Sequence, residues 1–496
     1  MPFLIKGAAA IFFVTFSLVL IKIKVIIFLM KKKIFLFAIL MIVPAFSLCF
    51  AFAENPLSSD TCKRLDEYIS KAVSAYHIPG MSFFITAPEQ TLFEKTYGQC
   101  TSPEQKFLIG SQSKSFTALC IMQLEEKGLV NLNDDITKYL PQYSFSKPVT
   151  VKMLLNQNSG FDTHAKLKNV RVTDSYGKYE YANVNYDLLG KIVEVVSGLS
   201  YRDYISLNIF QPLEMADTAA DAQSLKKDGK LLKGNRNFFG FFIPGEPDYP
   251  EKDSWFYEPA GFISSSPADF QKYLRMYLND GMAENGRQII SPFSINRMWY
   301  DSIIQSTHSS DRYGMGWNSG TFGGEKVLFH GGQVENYISF MVIIPAKKMA
   351  FDFKINANDE FGTNNLMDDV VLGIVNILNG EEPPAVKETS YLLIHFILDF
   401  LYLLVLAFSL LIFIKSIRPV KPAQSAVPRV KKILLRLVFW GLWPLFLLLI
   451  VPLAFHTPLW VVKSYVPDLF FVLLAGSLLP FAGALLTYCR YLLNIL

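Results

Sequence analysis

Ser111 and Lys114 stand three residues apart in Phe107-Leu-Ile-Gly-Ser-Gln-Ser-Lys-Ser-Phe-Thr-Ala118, which puts a hydroxyl and an amine one helical turn from each other. Positions i and i+3 share a helix face, so the amine can reach the hydroxyl. A lysine kept neutral can then draw off the proton and leave a serine nucleophile. The tetrapeptide pattern alone is weak, because Ser144/Lys147, Ser175/Lys178 and Ser224/Lys227 repeat it. Only the first copy follows an apolar run and a glycine and opens a helical pattern, with Phe116, Leu119, Met122 and Leu124 near one face.

Two further groups give that pair a setting. Tyr181-Ala182-Asn183 precedes a helical pattern; the Tyr181 phenol, as general base, can relay a proton between nucleophile and leaving group. Asn183 either holds Lys114 and a substrate amide or caps the helix that follows. His330-Gly331-Gly332 sits at a strand end, where two glycines let an extended substrate lie against the backbone; His330 is either a site residue or a packing residue. The backbone N–H groups of Ser111 and Gln333 are the candidate oxyanion hole. Asn336 is a candidate substrate contact or a turn residue. The six histidines are scattered and no Cys or His spacing suits a metal, so neither a metal nor a cofactor is expected.

These three motifs, in this order, resemble those of the β-lactamase-related, penicillin-recognising serine hydrolases, especially the class C β-lactamase and DD-peptidase branch, and the likeness extends over residues 62–380. The family's Ser-x-x-Lys is matched by Ser111 and Lys114, its Tyr-x-Asn by Tyr181 and Asn183. Its Lys-Thr-Gly or His-x-Gly is matched by His330 and Gly332. The resemblance implies acyl transfer through Ser111, with Lys114 and Tyr181 catalytic and Asn183 and residues 330–333 facing the substrate. Two positions depart from the pattern. Gln157-Asn158-Ser159-Gly160 stands where members commonly have His-Thr-Ser-Gly, which concerns loop packing, and Asn336 stands where many have glycine. His330 replaces the Lys that helps to hold a β-lactam carboxylate, which argues against efficient β-lactam hydrolysis.

The elements that must position these groups can be read from periodicity. Helices are expected at 65–75, 111–127, 151–156, 186–197, 201–209, 267–279 and 366–378, and strands at 81–86, 91–97, 326–330, 337–344 and 349–356. Strands at both ends with helices between them imply an α+β fold: an antiparallel sheet flanked by helices, plus a helical subdomain. The chain has 496 residues, 51% of them hydrophobic, and the apolar excess gathers at its ends. Residues 1–53 read as a signal region, with Met30 as the true start, Lys31–Lys33 as its basic segment and cleavage after Ala53. The hydrolase-like domain is expected at 54–380 and a polar linker at 381–391. Three transmembrane helices, at about 392–414, 434–455 and 469–488 within 392–490, complete the chain. Lys415, Arg418, Lys421, Arg429, Lys431 and Lys432 place the first intervening loop in the cytoplasm, and hence the 54–380 domain on the extracytoplasmic side of the cell membrane. Cys62 and Cys100 are either a disulfide or unpaired thiols. A formal charge of +4 with no basic stripe speaks against nucleic acid.

The expected function is that of a membrane-anchored serine hydrolase, acting on amide or ester bonds of peptide-like substrates that contain D-amino acids. The resemblance leaves two other readings open. One is a prodrug-activating N-acyl-D-Asn peptidase, a branch that also pairs such a domain with three C-terminal helices. The other is a penicillin-binding cell-wall sensor that acylates without turnover.

Overall fold

Near the two ends of the catalytic region, segments rich in β-branched and aromatic residues pair with one another, as their composition favours. The computed structural model describes residues 57–221, 229–246, 257–306, 310–418 and 426–493; the expected signal region lies outside them. Strands β1 (Gly80–Thr86) and β2 (Thr91–Gly98) open the chain, followed by β3 (Phe107–Leu108), β4 (Thr218–Ala219), β5 (Gly234–Phe238), β6 (Phe241–Gly245) and β7 (Ser264–Ser265). After them come β8 (Ile303–Ile304), β9 (Arg312–Gly314), β10 (Trp317–Phe322), β11 (Glu325–Val334), β12 (Tyr337–Ile344), β13 (Met349–Ile355) and β14 (Ala357–Asn358). One antiparallel sheet runs β2-β1-β13-β12-β11-β10-β9-β8, so the first strands close on the last, as expected for the α+β fold. Two small three-stranded sheets, β14-β5-β6 and β3-β7-β4, complete the set.

Helices cover both faces of the large sheet. On one face, α1 (Ser59–Ala75) packs with a late helix that is numbered α5 here (Thr363–Leu378), around Leu65, Ile69, Phe351, Val371 and Ile374. The other face holds α2 (Ser113–Glu126), α3 (Asn183–Ser197) and α4 (Pro267–Leu278), around Phe116, Leu119, Leu188 and Phe270. Periodicity predicted one apolar stripe on α2, but every residue from Ser113 to Leu124 is buried. The helix is enclosed on all sides, so its polar residues need internal partners. Tyr273 donates to Ser115 Oγ at 2.8 Å, and Thr117 Oγ1 donates to Pro259 O at 2.7 Å. Cys62 and Cys100 are not joined in a disulfide.

The C-terminal helices are α6 (Glu388–Ile417), α7 (Ala426–Phe455), α8 (Leu459–Tyr465) and α9 (Pro467–Leu493). Glu388–Ile417 and Pro467–Arg490 are each long and apolar enough to cross a membrane. The expected middle span, about 434–455, lies within α7, and Trp440–Phe455 together with Leu459–Tyr465, from which it is bent by 84°, forms the third candidate span. His456 takes a φ of +49° and Pro458 precedes α8, so the helix cannot run on. Small and hydroxylated residues fill the contacts between these helices, with Trp443 Nε1 donating to Ser409 Oγ at 2.9 Å.

Packing of α1 on α5 is tight at Gly373, where a Cβ would fall 2.3 Å from the Tyr68 ring. Gly373→Ala would gain about 1 kcal/mol of helix propensity, against an overpacking cost of roughly 1–3 kcal/mol. We expect a net loss and a lower thermal midpoint in detergent, read by tryptophan fluorescence. An unchanged or raised midpoint would show that Tyr68 yields freely.

Candidate active site

Ser111 lies in the single 3₁₀ turn Gly110–Gln112 between β3 and α2, held from several sides. Ser113 Oγ donates to Gly110 O at 2.7 Å, Gln112 Nε2 to Asp352 Oδ2 at 2.9 Å, and Ser339 Oγ to Ile109 O at 2.9 Å. Strand β11 passes so close that only glycine fits at the crossing. Gly110 has a φ of +53°, and a Cβ there would meet Gln333 N at 2.2 Å; a Cβ at Gly332 would meet Ile109 O at 1.9 Å. The turn that carries Ser111 therefore rests against the backbone of residues 332–333. This is the juxtaposition that the proposed pair of N–H donors, from Ser111 and Gln333, requires.

Lys114 is fully buried beneath the serine. Its Nζ lies 3.1 Å from Ser111 Oγ, 2.7 Å from Asn183 Oδ1 and 2.6 Å from Ala260 O. The amide and carbonyl oxygens can only accept, so two N–H groups go to them. In the neutral amine, the lone pair is then left facing the Ser111 hydroxyl. Burial pushes the Lys114 pKa down to about 7, and the nearby Asp187 carboxyl opposes that fall. Asp187 is itself buried and held well above the usual carboxylate range by desolvation, with Oδ1 accepting from Tyr257 N at 3.1 Å.

The Tyr181 ring stacks on Lys114, with Nζ 4.7 Å from the ring centroid, and Tyr181 and Ser111 line the same cavity. Desolvation holds this phenol well above its ordinary range, so it rests protonated. That resting state suits a proton relay, while Lys114 is the group with a free lone pair near neutral pH. Asn183 is the first residue of α3; its side chain goes to Lys114, and no side chain caps that helix.

His330 is buried on β11, with Nδ1 2.6 Å from Gly331 O and Nε2 3.3 Å from the Tyr313 hydroxyl. A carbonyl only accepts, so Nδ1 carries the hydrogen. Desolvation, then the charge of Lys114, pushes the His330 pKa down to about 3, and the ring is neutral. His330, Gly331, Gly332 and Gln333 line a cavity of about 390 Å³ beside Ser111. A second cavity, of about 410 Å³, shares Ser111, Tyr181 and Gln333 with it.

Asn336 is not brought to either cavity. It is fully buried; its Oδ1 accepts from Arg236 Nε at 2.9 Å and its Nδ2 donates to Gly245 O at 3.0 Å. The side chain turns inward because it ties the β5–β6 hairpin to the end of β11, a long-range demand with no local signature. Three contributors went unread in the sequence. The Ala260 carbonyl has no residue-type signal. Asp187 follows Asn183 by one helical turn, a spacing that could have marked it. Gln157, in the departure from the His-Thr-Ser-Gly string, accepts from Ala182 N at 3.1 Å and from Asn185, and so positions the Tyr181–Asn183 turn.

A β-lactamase family profile matches residues 65–383. The chain belongs to the β-lactamase family of serine hydrolases. Protein flp of Staphylococcus aureus (strain MRSA252) is 27% identical over 349 residues, which cover 62% of this chain and 65% of that protein. The chain thus spans about 65% of the length of the curated relatives that it matches first. A teichoic acid D-alanine hydrolase of Staphylococcus aureus is 34% identical over 200 residues, 37% of this chain and 48% of the relative. Among solved structures, the octameric penicillin-binding protein homologue from Pyrococcus abyssi superposes with a TM-score of 0.55 at 26% identity, over 65% of this chain and 78% of that one.

The state of Lys114 sets a pH dependence. Below about pH 7 the amine is an ammonium ion and cannot take the serine proton; above it, the lone pair is available. We expect kcat/KM to rise with pH through a midpoint near 7. In Lys114→Gln we expect that limb to vanish and the rate to fall by roughly 10²–10⁴-fold. A flat profile in the native protein would remove Lys114 from the role of base.

Proposed function

We propose that the protein is a membrane-anchored hydrolase that acylates Ser111 and cleaves amide or ester bonds of substrates carrying D-amino acids. The observation that carries this is the chain Ser111–Lys114–Asn183, in which a buried lysine spends two donors on Asn183 and Ala260 and faces the serine hydroxyl with what remains. In the reaction, Ser111 Oγ bonds to the carbonyl carbon as its proton passes to Lys114. The proton then goes, through Tyr181, to the departing nitrogen or oxygen. Water repeats the sequence in reverse, taking the acyl group from Ser111. Backbone N–H groups of Ser111 and Gln333 receive the oxyanion.

The cavities argue for one part of this substrate class. Among the described residues neither is lined by Lys or Arg, His330 is neutral, and Asp368 and Glu360 each contribute a carboxyl side chain. A substrate ending in a carboxylate, as β-lactams and peptides with a free C-terminus do, finds no cation there. D-Aminoacyl esters and amides, whose acyl part is neutral or cationic, fit better, and the likeness to a teichoic acid D-alanine hydrolase points the same way. The apolar C-terminal helices serve as the anchor. The basic residues near the α6–α7 connection support an extracytoplasmic position for the catalytic domain.

We expect purified full-length protein to hydrolyse D-alanyl esters or amides with kcat/KM at least about tenfold above that for a D-Ala-D-Ala peptide with a free carboxylate, a difference of about 1.4 kcal/mol. Ser111→Ala should abolish turnover, by about 10³-fold or more. A preference for the carboxylate substrate, or full activity in Ser111→Ala, would overturn the reading. Acylation in a burst without turnover would mark a binding protein instead.

A further inference from the structure

The cavity of about 410 Å³ that begins at Ser111 and Tyr181 does not end within the catalytic domain. It continues to Val451 and Phe455 of α7, Val461 of α8 and Leu469 of α9. Its volume lies in the range of about 300–1,000 Å³ usual for small-molecule sites. Polar groups line it near the serine, and mostly apolar side chains, with Thr457 and Tyr465 among them, line the part formed by the C-terminal segment. Phe455 is 72% exposed and its neighbour Leu453 70%, on a helix apolar enough to lie in a bilayer. The far end of the cavity therefore reaches an exposed apolar helix surface.

The roof is tied down at several points. His395 Nε2 of α6 lies 3.0 Å from Asp359 Oδ2, next in the chain to Glu360 and Phe361, which line the cavity. Asp468 of α9 accepts from Phe239 N at the tip of the β5–β6 hairpin, at 3.2 Å. Trp460 of α8 sits between the His164 ring, 6.3 Å away, and the Lys166 amine, 4.9 Å away. The 84° bend between α7 and α8 brings these residues over the serine.

We propose that this cavity takes the aliphatic chain of an amphiphilic ester or amide drawn from the bilayer, so that the scissile carbonyl of its head group reaches Ser111. An apolar wall that opens towards lipid at one end and onto a nucleophile at the other matches that division of chemistry. Among the described residues neither Lys nor Arg lines the cavity, which suits a neutral or cationic head group. The inference rests on acyl transfer by Ser111, and the test separates the two.

Full-length protein in lipid nanodiscs is treated with alkyl fluorophosphonates that differ only in chain length, methyl to decyl, and the rate of Ser111 labelling is measured by mass spectrometry. We expect the decyl probe to label about tenfold faster or more than the methyl probe. Long chains also concentrate in the bilayer, so Val461→Trp, which fills the cavity and leaves that partitioning unchanged, is the control. Its decyl-to-methyl ratio should fall towards one, and methyl labelling of the variant reports that its site is folded. Equal rates for the two probes in the native protein, or an unchanged ratio in Val461→Trp, overturn the inference and leave acyl transfer standing. Failure of every probe to label Ser111 overturns both. Should Val461→Trp not fold, Val461→Phe is measured by the same ratio.

Discussion

The fold around the site depends on the burial of one amine. Lys114 has no exposed surface, and an ammonium ion taken out of water is costly unless its hydrogens are all received. Three separate pieces of chain surround it: the turn before α2, the first residue of α3, and the Ala260 carbonyl in the loop before β7. Each is placed by further bonds. Gln157 holds the turn that precedes α3, Tyr257 N reaches Asp187 on α3, and Ile263 N reaches Ser113. Satisfying the lysine thus aligns the serine, the tyrosine and the asparagine with one another. The same burial lowers the amine's affinity for a proton, which suits the role of base proposed for it.

A second constraint comes from the backbone. The nucleophile turn and β11 lie at a distance that admits no side chain between them, which is why Gly110 and Gly332 face each other. Such an approach places two main-chain segments around the space where charge would develop on a substrate carbonyl, with no side chain to reorganise. The β10–β11 pairing ends at Asn318–Phe329, so the part of β11 that carries His330 to Val334 continues past its neighbour towards the cavity. His330 supports this edge as a neutral ring held between Gly331 O and Tyr313. A lysine in its place would have brought a charge into the pocket.

The C-terminal helices pack against the rest of the chain. Residues 381–387 carry no regular structure, yet α6, α8 and α9 return to the catalytic domain through His395–Asp359, Asp468–Phe239, the Phe238–Phe471 ring pair and the stacking around Trp460. The β5–β6 hairpin mediates much of this docking. Asn336, buried at the other end of the same hairpin, joins it to the strand that carries His330. A continuous set of contacts therefore links the apolar helices to the edge of the active-site cavity.

The sequence by itself determined what depends on neighbours in the chain. Ser111/Lys114 was legible because a helical turn fixes its separation, Tyr181/Asn183 because it stands just before a helical pattern, and His330-Gly331-Gly332 because paired glycines mark close approach. The principal strands and helices were legible through their periods, and the C-terminal spans through length and apolarity. Other features depend on residues far apart in sequence, and only the tertiary structure decided them. The Ala260 carbonyl is a backbone group with no residue signature, and Asn336 turned inward to a hairpin about a hundred residues earlier. Helix α2 was enclosed on every side, not on one stripe, and the strands β5, β6 and β8–β10 were missing from the periodic reading. The bend after Phe455, which carries the middle apolar segment over Ser111, follows from His456 and Pro458 locally. Its destination, the roof of the cavity, was set by packing against a domain that no local pattern could specify.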